Sequence, residues 1–122
     1  KRIQFNYIIE LRDKNKKEEM KKVGSINLWN ISWLHNRAEI GIWINSKYWN
    51  QGIATIALKL IRIIAFNHLN LHRLEAHIAV ENTSSINLFK KCGFTEEGIL
   101  KQYLKLRGKY HDAVILSYLK NS

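Results

Sequence analysis

Ile3, Phe5, Tyr7, Ile9 and Leu11 alternate with the polar residues Arg2, Gln4, Asn6 and Glu10. That period of two predicts a half-buried strand over 3–11. A charged turn at 13–19 and a second strand at 23–33 follow. A third strand is predicted at 37–45, with Ala38, Ile40, Ile42 and Ile44 on one face and Glu39, Gly41 and Trp43 on the other. The period then changes. Thr55, Lys59 and Arg62 recur at steps of four and three inside an apolar run over 53–69. This predicts a helix with one wet stripe and the rest packed on a sheet.

A fourth strand at 73–80 completes a strand–helix–strand unit, whose length implies a parallel pair with a right-handed crossover. Asn82 or Thr83 caps a short second helix ending at Cys92-Gly93, and Phe94 is placed for the hydrophobic contact of a C-terminal cap. Two last strands, 95–106 and 110–119, are joined as a hairpin by Arg107-Gly108-Lys109. The expected order is β-β-β-α-β-α-β-β, an α/β fold of one domain around a sheet of mixed direction.

The segment Tyr48-Trp49-Asn50-Gln51-Gly52-Ile53-Ala54-Thr55 joins the third strand to the first helix. The first turn of a helix has backbone N–H groups without internal partners, and the helix dipole adds partial positive charge there. Gly52 lets the backbone approach a ligand with no Cβ in the way. A phosphate-bearing ligand is therefore expected at this loop, while a plain turn is the bland alternative. No Gly-Lys-Ser/Thr follows, so this is not a P-loop, and the further glycines of a dinucleotide fingerprint are absent.

Composition narrows the picture. The chain has 122 residues, 46% of them hydrophobic, enough for one core. No apolar run reaches the roughly 18 residues of a membrane helix, because Lys59 and Arg62 interrupt 53–69. No secretory signal is visible. Cys92 is the one cysteine, which excludes an internal disulfide and fits a reducing cytosol. The formal net charge of +10 favours anionic partners, or reflects a Lys-rich surface. The basic residues are scattered rather than gathered in one stripe with aromatic partners, so a dedicated nucleic-acid module is not favoured.

The order of elements, with these residues, resembles the GNAT superfamily of N-acetyltransferases. Trp49-Asn50-Gln51-Gly52-Ile53-Ala54 matches that family's loop, Gln/Arg-x-x-Gly-x-Gly/Ala, at all but its first position. Tyr48-Trp49, Asn82-Thr83-Ser84-Ser85, Gly93-Phe94, Glu97-Gly98, Gly108-Lys109 and His111-Asp112 are similar to the RimJ/RimL-like branch. Spermidine acetyltransferases look similar over 69–112. The resemblance implies acetyl-CoA as acetyl donor, with its pyrophosphate on the backbone of Gln51, Gly52, Ile53, Ala54 and Thr55. It implies a pantetheine arm along Ile42, Trp43 and Ile44, paired as an extra strand where that strand splays from 73–80. Asn82 would hydrogen-bond the arm and Ser85 would stand beside it, although both residues also read as helix-cap positions.

Transfer needs a neutral amine, so a base or water must take a proton. Glu39 is the first candidate, since members of this family use a glutamate on this strand. His77 is the second, because the ordinary histidine pKa suits a base at neutral pH. Cys92 reads as a small apolar group. Two departures from the family are expected to matter. Its N-terminal strand and two helices are not in this chain, which is expected to be N-terminally incomplete. Its acid tyrosine on the second helix is matched here by Phe89, so a water, another hydroxyl or an unaided thiolate would serve.

The expected function is acetyl transfer to a primary amine, a protein N-terminus or small amine, in the cytoplasm, with a homodimer as the candidate assembly. A polyamine acetyltransferase, or a basic RNA- or ribosome-binding domain that kept the fold without catalysis, are the alternatives.

Overall fold

The computed structural model describes residues 3–12 and 20–121, so the turn expected at 13–19 lies outside the described residues. Six strands, β1 (Phe5–Arg12), β2 (Met20–Ser32), β3 (Arg37–Ile44), β4 (Arg73–Ala79), β5 (Thr95–Leu106) and β6 (Lys109–Leu119), form one sheet in the order β1-β2-β3-β4-β6-β5. β3 and β4 run parallel, as the strand–helix–strand unit requires, and the other neighbours are antiparallel. The β5–β6 hairpin turns on Arg107 and Gly108, at φ 51° and 77°, the left-handed pair that matches the twist of a two-residue hairpin.

Both helices pack on the same side of this sheet. α1 (Ile53–Ile63) buries Ile53, Ala57, Leu58 and Ile61, and α2 (Thr83–Lys91) buries Ile86 and Phe89. They meet Leu74, Ala76, Ile78, Val114 and Leu116 of the central strands, together with Ala38 and Ile40. Alternation along β3 and β4 therefore turns Glu39, Gly41 and Trp43, and Arg73, Glu75 and His77, to the face without helices.

The first helix differs from its expected form in two ways. Its last turn, Ile64–His68, is a π turn, with Leu69 N–H donating to Ile64 O at 3.0 Å. Ile56, Leu60 and Ile63 stay about half exposed, so the apolar run exceeds what one sheet face can cover.

α2 ends as its sequence predicts. Gly93 takes φ 94°, Phe94 N–H donates to Phe89 O at 3.0 Å, and Gly93 N–H donates to Lys90 O at 3.0 Å. Those two bonds satisfy the last carbonyls of the helix, and the Phe89 and Phe94 rings meet edge to face at 5.0 Å. Cys92 is buried beside them, as expected of a small apolar group.

Candidate functional site

β3 and β4 pair only from Arg37↔Arg73 to Glu39↔Glu75, and beyond that point the two strands part. Asn45 N–H donates to Val23 O at 2.7 Å, so the odd positions of β3 direct their backbone toward β2. By the alternation of an antiparallel ladder, Ile42 and Ile44 direct theirs into the gap. Ile44 O accepts the indole N–H of Trp49 at 2.7 Å.

A cavity of about 530 Å³ opens beside this gap on the helix side. Its lining includes Ile42, Ile44, Trp49, Gly52, Ile53, Ala54, Thr55, Asn82, Ser84, Ser85, Leu88 and Lys91. Two helix N-termini therefore face one space. Gly52 begins α1 at φ 77°, a left-handed conformation that glycine adopts freely, and no side chain caps the helix. Neither α1 nor α2 carries an acidic residue in its first turn. The free N–H groups of α1, the two helix dipoles and the Lys91 ammonium give this cavity a positive potential, the condition that anion binding requires. Asn82 caps α2, its Oδ1 accepting Ser85 N–H at 3.3 Å and the Ser84 hydroxyl at 3.2 Å. That network fixes the amide orientation and leaves the NH₂ group as the donor. Capping and ligand binding are thus compatible at this residue.

The side chains of two residues expected to meet the cofactor through their backbone point away from the cavity. Trp43 stands on the opposite face of β3, 57% exposed, because side chains alternate along a strand. Gln51 is exposed and its amide turns back to Lys47 O at 3.4 Å. Neither residue lines the cavity, and the backbone of Trp43, at an odd position of β3, is directed toward β2. Phe89, at the family's acid position, is 3% exposed and packs in the core rather than lining the cavity, where Leu88 stands instead.

The two candidate bases come together on the other face, where β3 and β4 part. His77 Nδ1 lies 2.6 Å from Glu39 Oε1, and His77 Nε2 lies 3.0 Å from Glu75 Oε1. The first contact is an ion pair rather than an aligned hydrogen bond, since Nδ1 has no partner of good hydrogen-bond geometry. Asn30 Nδ2 donates to Glu39 Oε2 at 2.6 Å. Burial alone would raise the Glu39 pKa, but contacts from His77 and Asn30 outweigh it and hold the carboxyl below its ordinary value. Glu39 raises the His77 pKa, burial opposes, and Glu75 adds to the rise. The two carboxylates therefore favour the protonated ring, and both ring nitrogens of His77 face a carboxylate.

The network continues along the sheet. Arg73 Nε meets Glu75 at 2.7 Å, and its two terminal nitrogens hold Glu97 at 2.9 and 2.6 Å. Ser117 also donates to Glu97, whose pKa the Arg73 guanidinium pulls down to about 2. Tyr103 reaches over the cluster, its ring edge-on to His77 with centroids 5.0 Å apart. Burial, then the charges of Glu39 and Glu75, raise its phenol pKa, so it stays protonated and able to donate. Sequence reasoning passed over Tyr103 because only the register of β5 and β6 brings it here. No group of three or more metal-ligating side chains exists among the described residues.

A family model described as an acetyltransferase (GNAT) domain matches residues 1–95. The chain is 36% identical over 104 residues to an uncharacterized N-acetyltransferase, p20 of Bacillus licheniformis, covering 85% of this chain and 58% of that protein. It is 34% identical over 90 residues to a spermidine N(1)-acetyltransferase of Vibrio cholerae, covering 74% of this chain and 52% of that protein. A solved chimera of the V. cholerae spermidine N-acetyltransferase SpeG and hSSAT superposes with a TM-score of 0.84 at 30% identity, covering 97% of this chain and 68% of that one. The chain spans about half the length of the curated relatives it matches.

Proposed function

The chain belongs to the GNAT acetyltransferase family, and on that premise we propose that it transfers an acetyl group from acetyl-CoA to a primary amine, a protein N-terminus or small amine, in the cytoplasm. The observation that carries this reading is the cavity at two helix N-termini, opening beside a gap whose closed end carries Glu39, His77 and Glu75.

The residues fit the donor in three parts. Backbone N–H groups of Ile53, Ala54 and Thr55 suit the pyrophosphate, the cavity-facing backbone of Ile42 and Ile44 suits the amide arm, and the Asn82 NH₂ group suits one of its carbonyls. Gln51 would contribute through its backbone alone, and Trp43 only as the link between Ile42 and Ile44. Acetyl-CoA brings an activated thioester. Glu39 would take one proton from the bound ammonium, the neutral amine would attack the thioester carbonyl as the C–S bond breaks, and the second proton lost by the nitrogen would pass to the departing thiolate.

Glu39 remains the proposed catalytic residue, and His77 acts as its charge partner rather than as a second base. Two carboxylates around one imidazolium keep a net negative charge beside the gap. That charge attracts an ammonium and stabilises the proton as it leaves. No phenol is needed from Phe89; Tyr103 is the hydroxyl at hand. The branch we favour is the RimJ/RimL-like one. Self-association is part of the reading: Ile56, Leu60 and Ile63 are uncovered on α1, and a V. cholerae spermidine N-acetyltransferase is dodecameric.

A second reading, polyamine acetylation, is supported by the likeness to spermidine acetyltransferases. The test is calorimetric titration with acetyl-CoA, followed by an amine screen read by free thiol release. Absence of acetyl-CoA binding to the folded chain would overturn the proposal.

A further inference from the structure

Tyr103 stands on a face of the sheet that strand alternation does not give it. Leu100 pairs with Ala113, and Ala113 pairs with Ala79 of β4. Cross-strand partners share a face, so Leu100 lies on the face of Ala79 and of His77, two residues before it. Period two from Leu100 would send Tyr103 to the opposite face, that of the helices. Its ring is instead edge-on to His77, with centroids 5.0 Å apart. The cause is a bulge in β5. The pairing passes from Leu100↔Ala113 to Leu104↔His111, so Lys101, Gln102 and Tyr103 oppose Asp112 alone. Gln102 takes φ 48°, a left-handed conformation uncommon away from glycine. Such a conformation persists where its surroundings hold it, and bulges re-aim side chains. Here the Asp112 carboxylate is the holder, its Oδ1 accepting Gln102 N–H at 2.8 Å. The Asp112 backbone is itself fixed, since its carbonyl accepts Val80 N–H, just past the end of β4, at 3.0 Å.

We propose that Asp112 is a positioning residue: by holding the β5 bulge it turns Tyr103 onto the face of Glu39 and His77. The consequence for turnover rests on the acetyltransferase reading, in which Glu39 acts on the proton of the amine. Without the carboxylate, Gln102 N–H loses its acceptor and the left-handed residue loses its support. The strand then relaxes toward ordinary alternation, which carries the ring away from His77. Asp112 does not line the donor cavity, and its effect on the cluster runs through Tyr103. The bond needs only an oxygen acceptor at this position, so an asparagine serves where an alanine does not.

The test uses the whole chain. The ring protons of His77, identified by their loss in His77→Gln, are followed by NMR, because the ring current of Tyr103 shifts them. The pH is held at about 5, where the imidazole is protonated with or without Tyr103. Tyr103→Ala gives the position of the resonances without that ring. Asp112→Ala is expected to carry them at least about half of the way to the Tyr103→Ala position, and Asp112→Asn to return them to the parent position. Gln102 gives the same test from the other end of the bond, should Asp112→Ala fail to fold. Gln102→Gly adopts the left-handed conformation freely and keeps the parent position, whereas the β-branched Gln102→Val loses it. Resonances unmoved in Tyr103→Ala, or in folded Asp112→Ala or Gln102→Val, overturn the proposal. Turnover is read by thiol release with acetyl-CoA and n-butylamine. Asp112→Ala and Tyr103→Phe are each expected to lower kcat at least about fivefold, and together no further, with the acetyl-CoA Kd unchanged and Asp112→Asn restoring the rate. A kcat unchanged in Asp112→Ala, a loss that Tyr103→Phe does not share, or losses that multiply in the double variant overturn the proposal too. Thiol release absent from the parent chain counts against the acetyltransferase reading, and the His77 resonances then decide the positioning by themselves.

Discussion

His77 and Glu39 meet at 2.6 Å where the parallel strands β3 and β4 part, and Glu75 closes the other side of the imidazole at 3.0 Å. The carboxylates favour the charged ring, whereas burial by itself would favour the neutral one. The cluster is thus both a structural clasp between two strands and a concentration of charge where they part. Each role gives its own measurable consequence.

The first concerns pH. The His77 pKa is raised from 6.5, so its contribution to stability is full below pH 6.5 and is lost as pH rises through the raised value. The Glu39 pKa is lowered from 4.5, so its contribution is full above pH 4.5 and is lost as pH falls through the lowered value. The pair is expected to stabilise most between those two ordinary values. His77→Gln should flatten the alkaline limb of a plot of thermal midpoint against pH. A variant whose alkaline limb matches the parent's would show that the imidazolium does not contribute.

Glu39→Gln removes the charge while keeping the shape. Breaking a buried pair by removing one partner costs about 3–5 kcal/mol, and the lower end is expected here because Glu75 still faces the ring. Turnover by the folded fraction should fall on the order of 10²–10⁴-fold while the acetyl-CoA Kd stays within a factor of about two, the pattern of a group acting on the acceptor's proton. Chemical denaturation and calorimetry measure the two effects separately. Equal losses in turnover and acetyl-CoA affinity would instead mark Glu39 as part of the donor site.

Much of this arrangement was legible in the chain. Alternation gave β1 and β3, the change of period gave α1, and Gly93-Phe94 marked the end of α2, because each is a local rule acting on neighbouring residues. The uncapped start of α1 was legible for the same reason: Gly52 before an apolar helix is a statement about local backbone. What the sequence left dark is what register decides. Arg73 reaches Glu97 from β4 to β5 across β6, and Tyr103 covers His77 across the same strand. No spacing along the chain announces either contact. Trp43 was assigned to the donor through the strand 42–44, and its side chain stands on the face of Glu39 and Gly41, where period two predicts it.

At the donor cavity, Gly52→Asp should weaken acetyl-CoA binding by at least about 2 kcal/mol, the scale of a lost charge-assisted contact with added repulsion. Gly52 has φ 77° and open space around a built Cβ, so part of any change in folding stability is backbone strain. Gly52→Ala carries that strain without the charge. The difference in Kd between the two variants, measured by calorimetry, is the electrostatic part. Equal affinity of both folded variants for acetyl-CoA would remove the pyrophosphate from this loop.

The last prediction concerns Phe89, at the position where the family's acid tyrosine is expected. The ring is 3% exposed, edge-on to Phe94, and Leu88 rather than Phe89 lines the cavity. Phe89→Ala should therefore cost about 3–5 kcal/mol through a core cavity. Phe89→Tyr should not restore an acid. Its hydroxyl enters an apolar contact between two aromatic rings, and an unsatisfied buried polar group costs about 1–3 kcal/mol. Turnover per folded molecule should be unchanged in Phe89→Tyr, because the new phenol points into the core, whereas Tyr103→Phe should lower turnover if the phenol over His77 takes part in the reaction. Thermal midpoints and thiol-release rates of the three variants separate these roles. A Phe89→Tyr protein as stable as the parent and faster in turnover would show that the ring turns toward the thioester after all, and would restore the family's acid to this helix.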